Sequence, residues 1–398
     1  MNLKRASSSE EPFLFETSGV KYLIYLDNAA TTGKKPPSVI RAVDNALRTL
    51  SANPGRSGHE ASLKAASAVY GVREKTARFF GASGAENVVF TLNCTHALNC
   101  VIKGVLRAGD HAVVSSLEHN AVMRPLVKTG VEYDAARVSL TDDNLTVREF
   151  ERKLRGNTRL VVCTGASNVV GKILPIKRIG ALCRERGIFF AVDAAQTAGV
   201  LPIDMKDMNI DYLCIAPHKG LYAPEGVGIL ICEAPIANTL IEGGTGTNSI
   251  ELFQPDELPE RLESGTVNVP GIIGISAGID YVSRLGLSGI YSHELELCRY
   301  LYRFLDKLSQ AELYTPMPEP GEYAPLVSFN IRGLSSSETA EYLNSRGIAV
   351  RAGLHCAPSA HSQLGTLERG TVRAAVASFN TQGEIQQLMS ALKNLKKK

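Results

Sequence analysis

Ile188, Phe189, Phe190, Ala191 and Val192 form an unbroken apolar run that stops at Asp193. An alternating run would mark a strand with one wet face, whereas a continuous run marks a strand covered on both faces. Other runs of similar texture recur at residues 88–91, 112–115, 160–163, 212–215 and 227–231. Helical patterns separate several of them, at about 95–106 and 175–186. Strands alternating with helices predict an α/β fold on a mainly parallel sheet. Ligands of such sheets sit beyond the carboxyl ends of the strands. Asp193 and Lys219 both fall at such ends, so they can face one pocket.

Upstream, Pro36 and Pro37 open a helical pattern that reaches Leu50, with proline where a helix start tolerates it. Residues 53–58 read as a loop, and a second helix spans about 61–80. Beyond about residue 284 the texture changes: a helix near 291–310 is followed by strands near 326–331 and 348–351. Thr381 and Glu384 make a capping-box start for the last helix. The expected division is a large unit over residues 22–283 and a smaller α+β unit over 284–398. Residues 1–21 are read as a lead-in that packs near the small unit or is disordered.

With 398 residues, 44% of them hydrophobic, the chain can bury a large core. Its 43 basic and 40 acidic residues nearly cancel, and the one basic cluster, Lys396, Lys397 and Lys398, reads as a solvated tail. That argues against a nucleic-acid partner. No apolar run approaches the ~20 residues needed to span a bilayer, so no membrane role is expected. The polar, Ser-rich start has no apolar core of a signal peptide. The eight cysteines, at 94, 100, 163, 183, 214, 232, 298 and 356, include no CxxC pair. Neither a disulfide framework nor a metal site is expected, and a reducing cytoplasm fits best.

The polar residues past the strand ends have two readings each. Asp193 is either a helix N-cap or a carboxylate that keeps a buried cationic ring nitrogen protonated. Gln196, three residues on, is placed to bond a ring oxygen. Lys219 is either a solvated charge whose stem covers apolar surface or a Schiff-base lysine at a pocket mouth. His119 follows another strand and can stack on a planar group. Cys94 and Thr95 lie where a strand turns into a helix, whose free N–H groups suit a phosphate. Cys356 lies in a loop-like stretch with His355 and near Arg351, cationic neighbours that favour the thiolate. Arg373 sits in a strand-like context, where a buried guanidinium seeks a carboxylate.

Ten ordered stretches together resemble the cysteine desulfurases of the aminotransferase class V family, on the selenocysteine-lyase-like branch. They are "YLDNAATT" (25–32), "SGHEAS" (57–62), "NCTHALN" (93–99), "EHNA" (118–121), "SNVVGKILPI" (167–176), "VDAAQTAG" (192–199), "PHKGLYAPEGVG" (217–228), "ESGTVNVPGI" (263–272), "RAGLHCAP" (351–358) and "GTVRAAV" (370–376). The resemblance covers nearly the whole chain after residue 22. It implies a fold-type I pyridoxal-phosphate transferase with a mainly parallel seven-stranded sheet and a smaller α+β domain. It implies pyridoxal 5'-phosphate as cofactor, L-cysteine or L-selenocysteine as substrate, a homodimer, and a sulfur-acceptor protein of the kind that serves iron–sulfur cluster assembly.

The same resemblance implies residue roles. Lys219 binds the cofactor covalently and moves the substrate's α-proton. Asp193 pairs with the pyridine nitrogen, Gln196 bonds the ring oxygen and His119 stacks on the ring. Thr95, Cys94 and His218 lie at the phosphate, with Thr266 reaching in from a second copy. Arg373 and Asn168 grip the substrate carboxylate, beside Arg351 and Ala30. Cys356 takes the sulfur as a persulfide and alanine leaves. Four positions depart from the family pattern: Ala216 for a usual Ser, Cys94 for a common Thr, Ala194 for a usual Gly, and Leu354 for a frequent His. The short stretch between Cys356 and Arg373 limits the reach of a persulfide and implies that an acceptor comes to it. Alternatives are a selenocysteine lyase, an aminotransferase or an epimerase of the same family, and a non-catalytic binding protein that kept the fold.

Overall fold

A computed structural model describes residues 23–55, 57–246 and 249–395. The lead-in over residues 1–21 and the basic tail at residues 396–398 lie outside the described residues. The chain starts with β1 (Ile24–Tyr25), α1 (Pro37–Thr49) and α2 (Glu60–Phe80). Then come β2 (Val88–Thr91), α3 (Cys94–Val105), β3 (His111–Ser115), α4 (Asn120–Thr129), β4 (Glu132–Ala136), α5 (Asp143–Lys153), β5 (Thr158–Thr164), α6 (Ile176–Arg186), β6 (Phe189–Asp193), β7 (Tyr212–Ile215) and β8 (Gly228–Cys232). The rest comprises α7 (Val269–Leu285), α8 (Leu287–Lys307), β9 (Ala311–Leu313), β10 (Leu326–Ile331), α9 (Ser336–Asn344), β11 (Ile348–Ala349), β12 (Arg351–Gly353), α10 (Pro358–Leu364), β13 (Thr371–Ala375) and α11 (Gln382–Lys393).

The main sheet has seven strands in the order β2-β8-β7-β6-β5-β3-β4, the strand number that the resemblance implies. Its strands are parallel except β8, which is antiparallel to both β2 and β7. The loop over residues 216–227 explains the exception. It carries no helix, and a parallel return needs a crossover connection. The chain therefore doubles back, and Lys219 rides in that return loop.

Both faces of this sheet are covered. One carries Phe80, Val161, Phe190 and Ile275 in a core shared with α2, α6 and α7; the other carries Leu98, Val101, Val114 and Leu126 from α3, α4 and the opposite side chains of the strands. Double coverage is why the strand sequences are continuous rather than alternating.

A four-stranded sheet, β12-β13-β10-β9, has its own core with α8 and α11. Thr381 and Glu384 make both halves of the expected capping box at the start of α11. Ile24 and Leu26 also pack in this second core, because β1 pairs in parallel with β11. The residues directly after β1 are thereby carried to the junction between the two sheets, where Asp27 bridges to Ala375. Among the described residues no helix is long and apolar enough to cross a membrane.

Candidate active site

Five strand ends supply the site. Past β2, the N-cap Asn93 accepts a hydrogen bond from the His96 amide at 2.9 Å and starts α3, so that Cys94 and Thr95 occupy its first turn. Gly228 makes this possible from the neighbouring strand: any Cβ there would collide with the Asn93 backbone and Thr91 Oγ1. Past β3 comes His119, the N-cap of α4, whose Nδ1 accepts from the Ala121 amide at 3.0 Å. Past β5 comes Asn168, past β6 Asp193, and past β7 Lys219. Cys94, Thr95, His119, Asn168, Asp193, Gln196, Ala216, His218 and Lys219 line one cavity.

Within it Asp193 is buried, and its Oδ1 accepts from the Ala195 amide at 2.9 Å and faces Cys94 Sγ at 3.6 Å. The residues after Asp193 form turns rather than a helix, so Asp193 caps a turn. Burial, and next the Asp193 charge, push the Cys94 thiol well above its usual range. Cys94 is thus a neutral neighbour of the carboxylate. Gln196 Nε2 donates to the Ala29 carbonyl at 3.0 Å, which orients the amide. His218 Nδ1 lies 3.0 Å from Thr31 Oγ1, and burial followed by the Lys219 charge pulls its imidazole down to about 4. Burial likewise lowers His119, against the pull of Asp193. Both rings are neutral near pH 7.

Lys219 is half-buried where it lines the cavity, and its ε-amine has no hydrogen bond or ion pair among the described residues. Burial lowers its pKa; the Asp193 charge opposes this and the Arg373 charge adds to it. An unpartnered, desolvated amine in a cavity is a nucleophile held ready, because less of it is protonated than in a solvated lysine.

Arg373, in β13, is 2% exposed and sits in register with Arg351 of β12. The carboxylate it was expected to seek is Asp27, at 2.8 Å from Nη2; Arg373 Nη1 donates to the Asn168 carbonyl at 2.7 Å. Arg351 Nη1 lies 3.8 Å from the other oxygen of Asp27. Asp27 lies within "YLDNAATT" (25–32), the stretch that runs on from β1. Like Asp193, it is an acid directly after apolar residues, and that was the signal available. Glu118 was missed in the same way. It is fully buried, bonds Ser115 Oγ and the Thr164 amide, and is pushed by burial up to about 8, so it is a neutral acid at pH 7.

Cys356 is the exposed cysteine; the other seven are buried. His355 and Cys356 both have left-handed backbones, with φ of 48° and 56°, a costly conformation for such residues. The surroundings enforce it. Asn168 Nδ2 donates to the His355 carbonyl at 2.7 Å, the Asn120 amide at the start of α4 donates to the Cys356 carbonyl at 2.7 Å, and His355 Nε2 lies 3.1 Å from the Thr371 carbonyl. Asn168 thus ties the cysteine loop to the cavity wall. Cys356 faces a groove that shares Thr95, His119 and Ala121 with the Lys219 cavity.

Two residues from the sequence reading do not join this constellation within one chain. Thr266 lies elsewhere, with its hydroxyl 3.5 Å from Asn53 Nδ2. Ala30 is not among the residues lining the Lys219 cavity, though its amide bonds the Asp27 carbonyl at 3.0 Å.

The aminotransferase class-V family profile matches residues 24–388. A probable cysteine desulfurase of Synechocystis is 32% identical over 383 residues, covering 93% of this chain and 90% of that protein. A probable cysteine desulfurase of Methanothermobacter thermautotrophicus is 33% identical, covering 94% of each. Among solved structures, an apo cysteine desulfurase from Thermococcus onnurineus superposes with a TM-score of 0.85 at 32% identity, over 93% of this chain and 94% of the other. The Escherichia coli cysteine desulfurase CsdA, in an S-sulfonic acid form, gives 0.82 at 27% identity, over 93% and 94%.

Proposed function

The chain belongs to the aminotransferase class-V family, and from that premise we propose that it is a pyridoxal-phosphate-dependent cysteine desulfurase, which moves sulfur from L-cysteine to Cys356 and releases L-alanine. The observation that carries this reading is the unpartnered ε-amine of Lys219, which lines one cavity with buried Asp193. The residues fit the cofactor: an amine for its aldehyde, a carboxylate for its ring nitrogen, and a helix start for its phosphate. Bound there, pyridoxal phosphate supplies an electron sink for the carbon left when a bond to the amino acid breaks.

The chain supplies the rest. Lys219 Nζ would bind the cofactor's aldehyde and, as a free amine, would move the substrate's α-proton. Asp193 would hold the ring nitrogen protonated, and Gln196 and His119 would hold the ring. Thr95, Cys94 and His218 would hold the phosphate, joined in a homodimer by Thr266 of a second copy. Ala216 brings no hydroxyl there, so the α3 amides carry more of the charge. Arg373, with Arg351, Asn168 and Ala30 around it, orients the amino acid's carboxylate.

Cys356 attacks the substrate sulfur as thiolate. A sulfur–sulfur bond forms, and the substrate's Cβ–S bond breaks with its electron pair left on carbon. That carbon then takes a proton. The balance is L-cysteine plus Cys356–SH giving L-alanine plus Cys356–S–SH, with no outside oxidant. Buried, unpaired thiols elsewhere in the chain suit the reducing cytoplasm.

The test is to reduce the cofactor-loaded protein with borohydride, map the adduct, and measure alanine from cysteine and from selenocysteine. An adduct at Lys219, with one added sulfur at Cys356 after cysteine treatment, is expected. An adduct at another lysine, or alanine formed equally by Cys356→Ala, overturns the reading.

A further inference from the structure

By resemblance Cys94 belongs beside the phosphate, yet its thiol meets a different group. Cys94 is the first residue of α3, set there by the Asn93 cap. Its Sγ lies 3.6 Å from Asp193 Oδ1, and both residues line the Lys219 cavity. A buried cysteine usually acts as a small hydrophobe. This one touches a carboxylate that is 4% exposed. Burial, and next the Asp193 charge, oppose ionisation of the thiol, so the thiol is the donor. Asp193 Oδ1 also accepts from the Ala195 amide at 2.9 Å. Asp193 Oδ2 makes no hydrogen bond among the described residues. One oxygen is therefore held twice by the protein, and the other is unpartnered in a buried side chain of the cavity wall.

We propose that the Cys94 thiol is a positioning group for the cofactor's ring nitrogen: it fixes Asp193 by Oδ1 and leaves Oδ2 to accept the ring N–H. The inference rests on the pyridoxal-phosphate reading above. A carboxylate turns easily about its last torsion, whose energy profile is broad. The Ala195 amide alone fixes one oxygen but not the plane of the group; a second donor fixes the plane. A thiol is a weak donor, so it withdraws little of the negative charge that the ring nitrogen needs. The hydroxyl of the Thr common at this position in the family donates more strongly and withdraws more. Contact with the phosphate then falls to the Cys94 backbone amide, one of the free N–H groups of the first turn of α3. Lys219 past β7, Cys214 in β7, Cys163 in β5, and Glu118 and His119 past β3 also act on Asp193 through their charges. All of them stay in place when Cys94 alone is changed.

The experiment titrates the full-length wild type, Cys94→Ala and Cys94→Ser, each freed of cofactor, with three compounds by calorimetry. They are pyridoxal 5'-phosphate, pyridoxal, which lacks the phosphate, and the 1-deaza analogue of pyridoxal 5'-phosphate, in which C–H replaces the ring nitrogen. Cys94→Ala is expected to weaken pyridoxal 5'-phosphate and pyridoxal by the same factor, about three-fold or more, and to leave the deaza analogue unchanged. Cys94→Ser is expected to restore both affinities. In protein loaded with cofactor carrying nitrogen-15 in the ring, the Cys94→Ala signal should reach its unprotonated position at a lower pH than that of the wild type or Cys94→Ser. An equal loss for the deaza analogue means that the thiol only fills space, and overturns the proposal. A loss confined to pyridoxal 5'-phosphate returns the thiol to the phosphate, and no loss at all removes its role; each overturns the proposal as well. If Cys94→Ala binds none of the three, Cys94→Val is titrated in its place with the same outcomes decisive. A wild type that fails to bind pyridoxal 5'-phosphate would overturn the desulfurase reading instead, before any variant is compared.

Discussion

Asp27 Oδ1 meets Arg373 Nη2 at 2.8 Å, across the junction between the two sheets. The same carboxylate faces Arg351, the register partner of Arg373 on the neighbouring strand. Two guanidinium groups directly opposite each other repel, and Asp27 is the anion between them. Its removal leaves a buried cation short of a partner, at a cost of about 1–3 kcal/mol. In Asp27→Asn the guanidinium of Arg373 keeps its bond to the Asn168 carbonyl but loses its anionic anchor. The expected outcome is a lower melting temperature and a KM for cysteine that rises more than kcat falls. Thermal melts and steady-state alanine formation check both, and an unchanged KM removes Asp27 from substrate orientation.

Gly228 faces the turn that starts α3. In Gly228→Ala the new methyl group must displace the Asn93 backbone, and with it the cap that holds the His96 amide. Overpacking of this kind costs about 1–3 kcal/mol. The damage falls on the helix start that borders the phosphate, so cofactor affinity is expected to drop about ten-fold or more, out of proportion to the change in secondary structure. Titration of the apo variant with pyridoxal phosphate, followed by visible absorbance, measures it.

The contrast between residues that stand out in the sequence and residues that do not has a physical cause. Asp193, Lys219 and His119 each follow a strand buried on both faces, and such strands leave a continuous apolar run that marks where the site begins. The edge strand β4 was not anticipated, because Glu132, Tyr133 and Ala135 are exposed and no apolar run survives there. Helix α4 carries Pro125 in its interior, which obscures a helical pattern. Strand β1 is two residues long, too short to point at the acid that follows it. Asp27 finds Arg373 across a separation of 346 residues, and no local pattern encodes a partner so distant.

Accessibility separates Cys356 from the other cysteines. Seven of the eight thiols are buried, and burial raises the pKa of those lining the cavity and the sheet, Cys94, Cys163 and Cys214 among them. A brief iodoacetamide treatment of the native protein is expected to modify one cysteine, Cys356, and to abolish alanine formation from cysteine. The unfolded protein should take up eight equivalents. Peptide mapping reads the site, and rapid native labelling of a second cysteine would contradict the burial that keeps sulfur transfer confined to one thiol.

Glu294, in α8, is buried against the Tyr222 hydroxyl and the Ser378 amide, and burial pushes its carboxyl from 4.5 up to about 8. The folded chain therefore holds a proton that the unfolded chain releases over that window. Such a group contributes its full stability below pH 4.5 and loses it as the pH climbs through 8. Glutamine is nearly the same size and cannot ionise. Glu294→Gln is thus expected to melt close to the wild type near pH 5 and progressively above it toward pH 9. Glu118, also raised to about 8, is present in both proteins, so the difference between their melting curves isolates Glu294. Parallel curves across that range would mean that Glu294 ionises in the fold without penalty, and that the pH response of stability originates elsewhere.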